Sequence, residues 1–208
     1  VTLSTVGRPI GAFYGYVTDG IFQNAAELAA YPHLSLAEVG DIRYKDVNGD
    51  GVLNGDDRTM IGSPIPDFVY GFNFDFTYGN WDLSIGLQGQ VGNEIFNGKN
   101  VVRPDPYNFE QHVWNRWTGE GTSNSVPRVT TGATNNNVLS DYFVEDASFL
   151  RIQNVQLGYT LNSKVSEKIG VSKFRIYTSV NNLYTFTKYR GFDAAASSGN
   201  PIGGGIDY

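Results

Sequence analysis

Cysteine is absent from the 208 residues, which excludes disulfide staples, zinc sites built on paired cysteines and thiol nucleophiles. Histidine is almost absent: His33 and His112 stand far apart and in no metal-ligand spacing, so each is expected as a surface or packing group. Charged residues make up only 17% of the chain, and the balance is −6 with a pI near 4.8. A nucleic-acid partner needs clustered Lys and Arg against its phosphates, so that class is excluded. No run of eighteen apolar residues occurs, so no helix is expected to span a bilayer. That absence leaves strand-built membrane proteins open, because a barrel strand needs only about ten alternating residues. There is no GxSxG elbow, phosphate-binding loop or glycine fingerprint between strand and helix. The acidic pairs Asp56–Asp57 and Glu145–Asp146 are neighbours in sequence, which does not supply two carboxylates facing across a sugar. No catalytic residue is assigned, and the chain reads as a non-enzyme.

What is present is glycine, 25 residues of it, and 14% aromatics. The clearest segment is FVYGFNFDFTYGNWDLSIGLQGQVG. From Phe68, every second residue is aromatic through Phe72, Phe74, Phe76 and Tyr78, with Val69, Gly71, Asn73, Asp75 and Thr77 between them. Successive strand side chains point to opposite faces, so one face is an aromatic ladder and the other is small or polar. Gly79-Asn80 predicts a tight turn, after which Trp81, Leu83, Ile85 and Leu87 continue the alternation as the second arm of a hairpin. Two later segments obey the same rule. In QNVQLGYTL, Val155, Leu157, Tyr159 and Leu161 share a face; in KFRIYTSVNNLYTF, Phe174, Ile176, Val180, Tyr184 and Phe186 share one with Thr178 and Asn182. NSKVSEKIG between them predicts a short turn or one helical turn. IGAFYGYVTDGIF is extended, DPYNFEQHVWNRW reads as a short helix, and the run from Thr118 to Ser140 as a long loop.

The fold class is all-β and antiparallel, with two arrangements open. In a soluble sandwich or barrel the apolar faces turn inward. In an outer-membrane barrel they turn to lipid, aromatics gather at the interfaces, and the polar faces line a watery lumen. Long strands, wide aromatic ladders and Gly/Asn/Gln-rich polar faces favour the second.

DVNGDGVLNGDD, Asp46 to Asp57, has the spacing of a calcium loop. Asp46, Asn48 and Asp50 occupy positions one, three and five of a twelve-residue frame, Gly51 is at six, and Asn54 and Asp57 are at nine and twelve. Calcium takes six to eight hard oxygens, and the carbonyl of Val52 supplies position seven. The candidate ligands for a structural Ca2+ are therefore Asp46, Asn48, Asp50, Val52, Asn54 and Asp57. Asp57 stands where the usual frame has Glu, and its shorter arm makes bidentate reach harder. The plainer reading is a turn, because Asn, Asp and Gly bond their own backbone. The flanking DIRYKDV and RTMIGSPIPD are extended or broken by proline, so a helix-pair sensor is disfavoured. Trp114 and Trp117, with Tyr107 and Phe109, form a candidate aromatic platform for a sugar ring, although a short helix packing its apolar side is the favoured expectation.

GRPIGAFYGYVTDGIFQN, GDIRYKDVNGDGVLNGDDRTMIGSPIPDFVYGFNFDF, WNRWTGEG with VPR, FVEDASFLRIQNVQLGYTL and KFRIYTSVNNLYTFTKYRGFD occur in that order. Together they closely resemble the SusC/RagA group of TonB-dependent outer-membrane transporters. The resemblance covers most of these residues but only the C-terminal part of such a transporter. It implies that residues 1–208 are carboxyl-proximal strands and extracellular loops of a barrel of about twenty-two strands. The plug domain, the earlier strands and the last strand would lie elsewhere in the protein. The opening Val1 without an initiator Met and the glycine-rich ending GGGIDY agree with a piece of something larger. By resemblance, the function is uptake of oligosaccharides or peptides. The implied partners are a SusD-like surface lipoprotein, outer-membrane lipid, and the TonB–ExbB–ExbD complex acting through the plug region. The alternative is a soluble secreted β module using a dockerin-like calcium loop for adhesion or assembly.

Overall fold

The computed structural model describes residues 1–98, 109–195 and 204–207. In chain order its elements begin with β1 (Thr2–Leu3), β2 (Ala12–Gly15), β3 (Thr18–Ile21), α1 (Ala25–Ala30), β4 (Ile42–Tyr44) and β5 (Thr59–Gly62). The long strands β6 (Phe68–Tyr78) and β7 (Trp81–Val91) follow, then the short β8 (Glu94–Asn97) and β9 (Val144–Asp146). The last elements are β10 (Phe149–Thr160), α2 (Ser163–Lys168), β11 (Arg175–Thr187) and β12 (Ile206–Asp207). The chain divides into two compact units. One is built from Val1–Ile65, Glu94–Glu145 and the carboxyl-terminal strand, the other from Pro66–Asn93 and Asp146–Ala195.

The first unit joins short strands into small sheets, ordered β1-β2-β5, β3-β4 and β12-β8-β9. Apolar side chains turn inward here. Phe13, Phe96 and Phe143 form one buried cluster with Ile61, Leu139 and Ile206 against it; Tyr16, Ile42, Tyr44 and Leu53 form another. The rings of Phe13 and Phe96 are 6.1 Å apart and those of Tyr16 and Tyr44 5.4 Å. The Tyr44 hydroxyl donates to the Asn135 carbonyl at 2.8 Å, which satisfies its one polar atom, and burial pushes its phenol pKa up. α1 was not anticipated from the sequence. Asn24 caps it by accepting from the Glu27 amide, and the signal was the AAELAA run directly behind that asparagine.

The second unit is a four-stranded antiparallel sheet in the order β11-β10-β7-β6. The expected hairpin pairs in unbroken register from Phe68 opposite Val91 to Tyr78 opposite Trp81. Gly79 takes φ 56°, the left-handed conformation a two-residue hairpin turn asks of its residues. β10 carries a bulge: pairing passes from Ile152–Leu87 to Asn154–Gly86, leaving Gln153 over. The extra residue reverses the parity of the strand. Leu150 and Ile152 therefore lie on the same face as Val155, Leu157 and Tyr159. Beside it on β11, Asn182 takes φ 52°, a conformation asparagine tolerates better than most residues. α2 is the helical turn expected of NSKVSEKIG, capped by the Asn162 side chain accepting from the Lys164 amide.

Of the helix expected from DPYNFEQHVWNRW, the described part is a single 3-10 turn, Gln111–Asn115. Glu110 at its head makes no side-chain capping bond, and Arg116 returns to extended backbone, so nothing propagates the turn. Residues 105–108 lie outside the described residues.

Candidate functional site

The register of the second unit lines its apolar side chains up in rows across all four strands. Phe72, Leu87, Ile152 and Tyr184 make one row; Phe74, Ile85, Val155 and Val180 make the next. Phe76, Leu83, Leu157 and Thr178 form a third, and Tyr78, Trp81, Tyr159 and Ile176 close the turn end. Among the described residues of the unit, nothing packs on this face. Phe72 is 52% exposed and Leu157 41%, although in a water-soluble core both would be near zero. Tyr78 is 88% exposed beside Trp81, whose ring lies 4.7 Å from that of Tyr159. The end rows thus put amphipathic aromatics at the rim of an aliphatic and phenylalanine band. The soluble alternative, in which these residues fill a closed core, does not describe this sheet.

The opposite face carries Asn73, Gly86, Asn154 and Asn181 in one row and Asp75, Ser84, Gln156 and Ser179 in another. Its polar groups satisfy each other: Asn154 donates to Asn181 at 2.7 Å and Ser84 to Asp75 at 2.5 Å. At the turn end, Arg175 and Asp82 form a bidentate pair lying over Gly158, where any Cβ would collide with both. Towards the other end, Arg151 donates to Thr185 at 2.9 Å and to Asp193 at 2.5 Å. Arg151, Thr185, Tyr189 and Asp193 line a cavity of about 360 Å3 there. Val69, Phe149 and Tyr177 also fall on this side, so the face is mixed at its ends and polar across its middle.

The 46–57 loop lies in the first unit, between β4 and β5, as the flanking patterns required. Its side chains close on its own amides. Asp46 accepts from Gly49 at 2.6 Å and Gly51 at 2.8 Å, Asn48 from Asp50 at 2.9 Å, and Asp50 from Val52 at 2.8 Å. Asn54 and Asp57 form a reciprocal capping box around the 3-10 turn Gly55–Asp57. Asp57 is fully buried and accepts from Asn54 at 2.8 Å and Val47 at 2.9 Å. These amides, Asn54 foremost, hold its carboxyl below the usual range against burial, which acts the other way. Leu53, buried in the Tyr16–Tyr44 cluster, anchors the loop to the core. Among the described residues, no three Asp, Glu or His side chains gather closely enough to hold a metal.

The candidate aromatic platform separates. Trp117 packs against Gly40, whereas Trp114 is 82% exposed and lines a cavity of about 470 Å3 with Phe109, Val113 and Val129. Trp117 is thus packed as expected, but from extended backbone beyond the 3-10 turn rather than from a helix, and Trp114 is not packed. Tyr107 lies outside the described residues. His33 sits by the Tyr31 carbonyl at 2.9 Å and against the Phe22 ring, a packing role as expected.

No protein-family profile matches the chain. TonB-dependent receptor P3 of Formosa agariphila is 34% identical over 196 residues, covering 93% of this chain and 19% of that protein. TonB-dependent receptor SusC of Bacteroides thetaiotaomicron is 30% identical over 165 residues, covering 75% of this chain and 15% of that protein. The chain belongs to the SusC/RagA group of TonB-dependent receptors. It spans about a fifth of the length of the Formosa relative. The fold agrees: a chain of the RagAB peptide transporter superposes with a TM-score of 0.70 at 23% identity, covering 99% of this segment and 21% of that chain. The long strands thus have the fold of part of a transporter barrel.

Proposed function

We propose that this segment contributes strands and surface loops to an outer-membrane, TonB-dependent nutrient importer. The observation that carries the reading is the four-stranded sheet with one uncovered apolar face, rimmed by Tyr78, Trp81 and Tyr159, and one polar face. A bilayer is the solvent that makes the uncovered face favourable, and a watery passage is the one that suits the other. β6 and β11 each pair on one side only among the described residues, which fits strands whose outer neighbours belong to the rest of a closed ring.

The cargo in this reading is an oligosaccharide or a peptide, captured with a SusD-like lipoprotein, and energy arrives from TonB–ExbB–ExbD through a plug. The peptide-transporter description of the RagAB neighbour supports a peptide cargo, and the oligosaccharide alternative rests on the resemblance to the SusC/RagA group. Depth-dependent labelling tests the orientation. Single cysteines at Ile85 and Ser84 in the full-length receptor, probed in membranes, should react with a lipid-phase and a water-phase reagent respectively. The opposite pattern would sink the assignment.

The same reading gives the 46–57 loop a structural Ca2+. A carboxylate oxygen can accept twice, so Asp46 and Asp50 keep lone pairs after their bonds within the loop, and Asp57 keeps one on the oxygen that bonds Asn54. The ion would have to draw these carboxylates closer than the loop holds them by itself. Calorimetric titration of Ca2+ into the full-length receptor, with Asp50→Ala as control, tests this. Equal heats would remove the ion and leave a loop braced by its own amides.

A further inference from the structure

Residues 117–128 contain neither helix nor strand, yet partners about a hundred residues away hold them throughout. Asn24 donates to Glu120 at 2.7 Å, Gly121 donates to the Gln23 side chain at 2.9 Å, and Gln23 donates to the Ser123 carbonyl at 3.0 Å. The Ile21 amide donates to Asn124 at 3.0 Å. The base of the segment is closed by Trp117 donating to the Val126 carbonyl and Arg128 to the Gly40 carbonyl, each at 2.8 Å.

One ion pair secures this seam. Asp41 is fully buried, and its two oxygens receive four donors. Arg128 donates at 2.6 and 3.3 Å, Asn136 at 3.0 Å and the Glu38 amide at 3.0 Å. A carboxylate offers about four acceptor positions, so Asp41 is saturated. The Nη2 of Arg128 that bonds Asp41 also meets Glu38 at 2.9 Å, and Asn136 in turn accepts from the Ile42 amide at 2.8 Å. Gly40, at φ 90°, lies so close under the Trp117 ring that a Cβ there would sit 2.5 Å from it. Only glycine permits both the backbone angle and the approach.

We infer that residues 117–128 are a strap latched onto the β3–β4 hairpin, with the Arg128–Asp41 pair as the latch and Arg128 as its positioning residue. The latched strap shapes a cleft of about 490 Å3 lined by Gln23, Glu27, Arg43, Glu120, Ser123 and Asn124. With the latch undone, those groups no longer share one surface. The strap is therefore a conformational element whose order depends on a charge pair whose Asp41 half is fully buried. Removing one partner of such a pair leaves the other buried and uncompensated.

Hydrogen exchange on the full-length receptor tests the latch. Arg128→Gln should speed exchange of the Trp117, Gly121 and Arg128-region amides by about 100-fold, while strand peptides from 68–91 and 149–160 keep their protection. Arg128→Lys, which keeps the charge but loses the fork, should give about 10-fold in the same place. If Arg128→Gln does not reach the membrane, Arg128→Lys and the milder Glu38→Gln carry the same readout. Protection retained in the strap of these variants would overturn the latch. So would a loss spread evenly through strap and strands.

Discussion

The two units use the same residue types in opposite ways. In the first, Phe13, Phe96 and Ile42 are buried among one another. In the second, Phe72, Phe74 and Phe76 stand on an open sheet face at 43–56% exposure. Phenylalanine does not choose between these fates; the partner does. Where short strands and loops fold back on themselves, apolar groups find each other. Where four strands of eleven to thirteen residues lie in one layer, a whole face is left for another solvent to cover. The contrast shows why an exposed aromatic is informative only when its neighbours in register are exposed as well.

The comparison predicts different costs for similar damage. Phe13→Ala empties a closed core and should cost about 3–5 kcal/mol, read as loss of folded receptor in denaturant titration. Ile85→Lys, in the middle of the apolar face, should cost about 2–4 kcal/mol in a bilayer, whereas Ser84→Lys on the other face should cost far less. Equal folded yields in membranes for that pair would erase the distinction between the faces. At the rim, Trp81→Leu should cost only about 0.5–1.5 kcal/mol, the loss of its ring pairing with Tyr159.

An acid titration separates the units more finely. The folded state holds the Asp57 carboxyl below its ordinary pKa, so its contribution is present above the unfolded value, about 4. It fades as the pH falls from there through the lower folded value. Exchange protection of the 46–57 loop should therefore drop below about pH 4 in the native receptor. It should show no such step in Asp57→Asn. The four-stranded sheet should be indifferent to that substitution, and a matching change in β6 or β7 would contradict the division.

Much of the strand architecture was legible because a period of two is a local property. The Phe68–Leu87 hairpin and the β11 face follow directly from side-chain alternation, and Asn80 marked the turn. The bulge in β10 left a trace, the consecutive polar pair Gln153-Asn154, but alternation cannot tell an inserted residue from a strand end. The 46–57 loop was legible as a tight Asx-rich curl between extended segments for a similar reason, since its hydrogen bonds span only a few residues. The separation of Trp114 from Trp117 was not legible. It depends on Gly40, seventy-seven positions earlier in the chain, making room for one ring and not the other.

From the sequence alone came alternating strands, an acidic loop spaced either for calcium or for a self-bonded turn, and the lack of any cysteine thiol, because each rests on spacing over a dozen residues or on composition. Tertiary structure decided which alternations share a face across four strands. It also decided that Asp41 is neutralised by Arg128, eighty-seven residues away. Both depend on which distant segments meet, and pairing between remote segments is a property of the folded chain that no local pattern encodes.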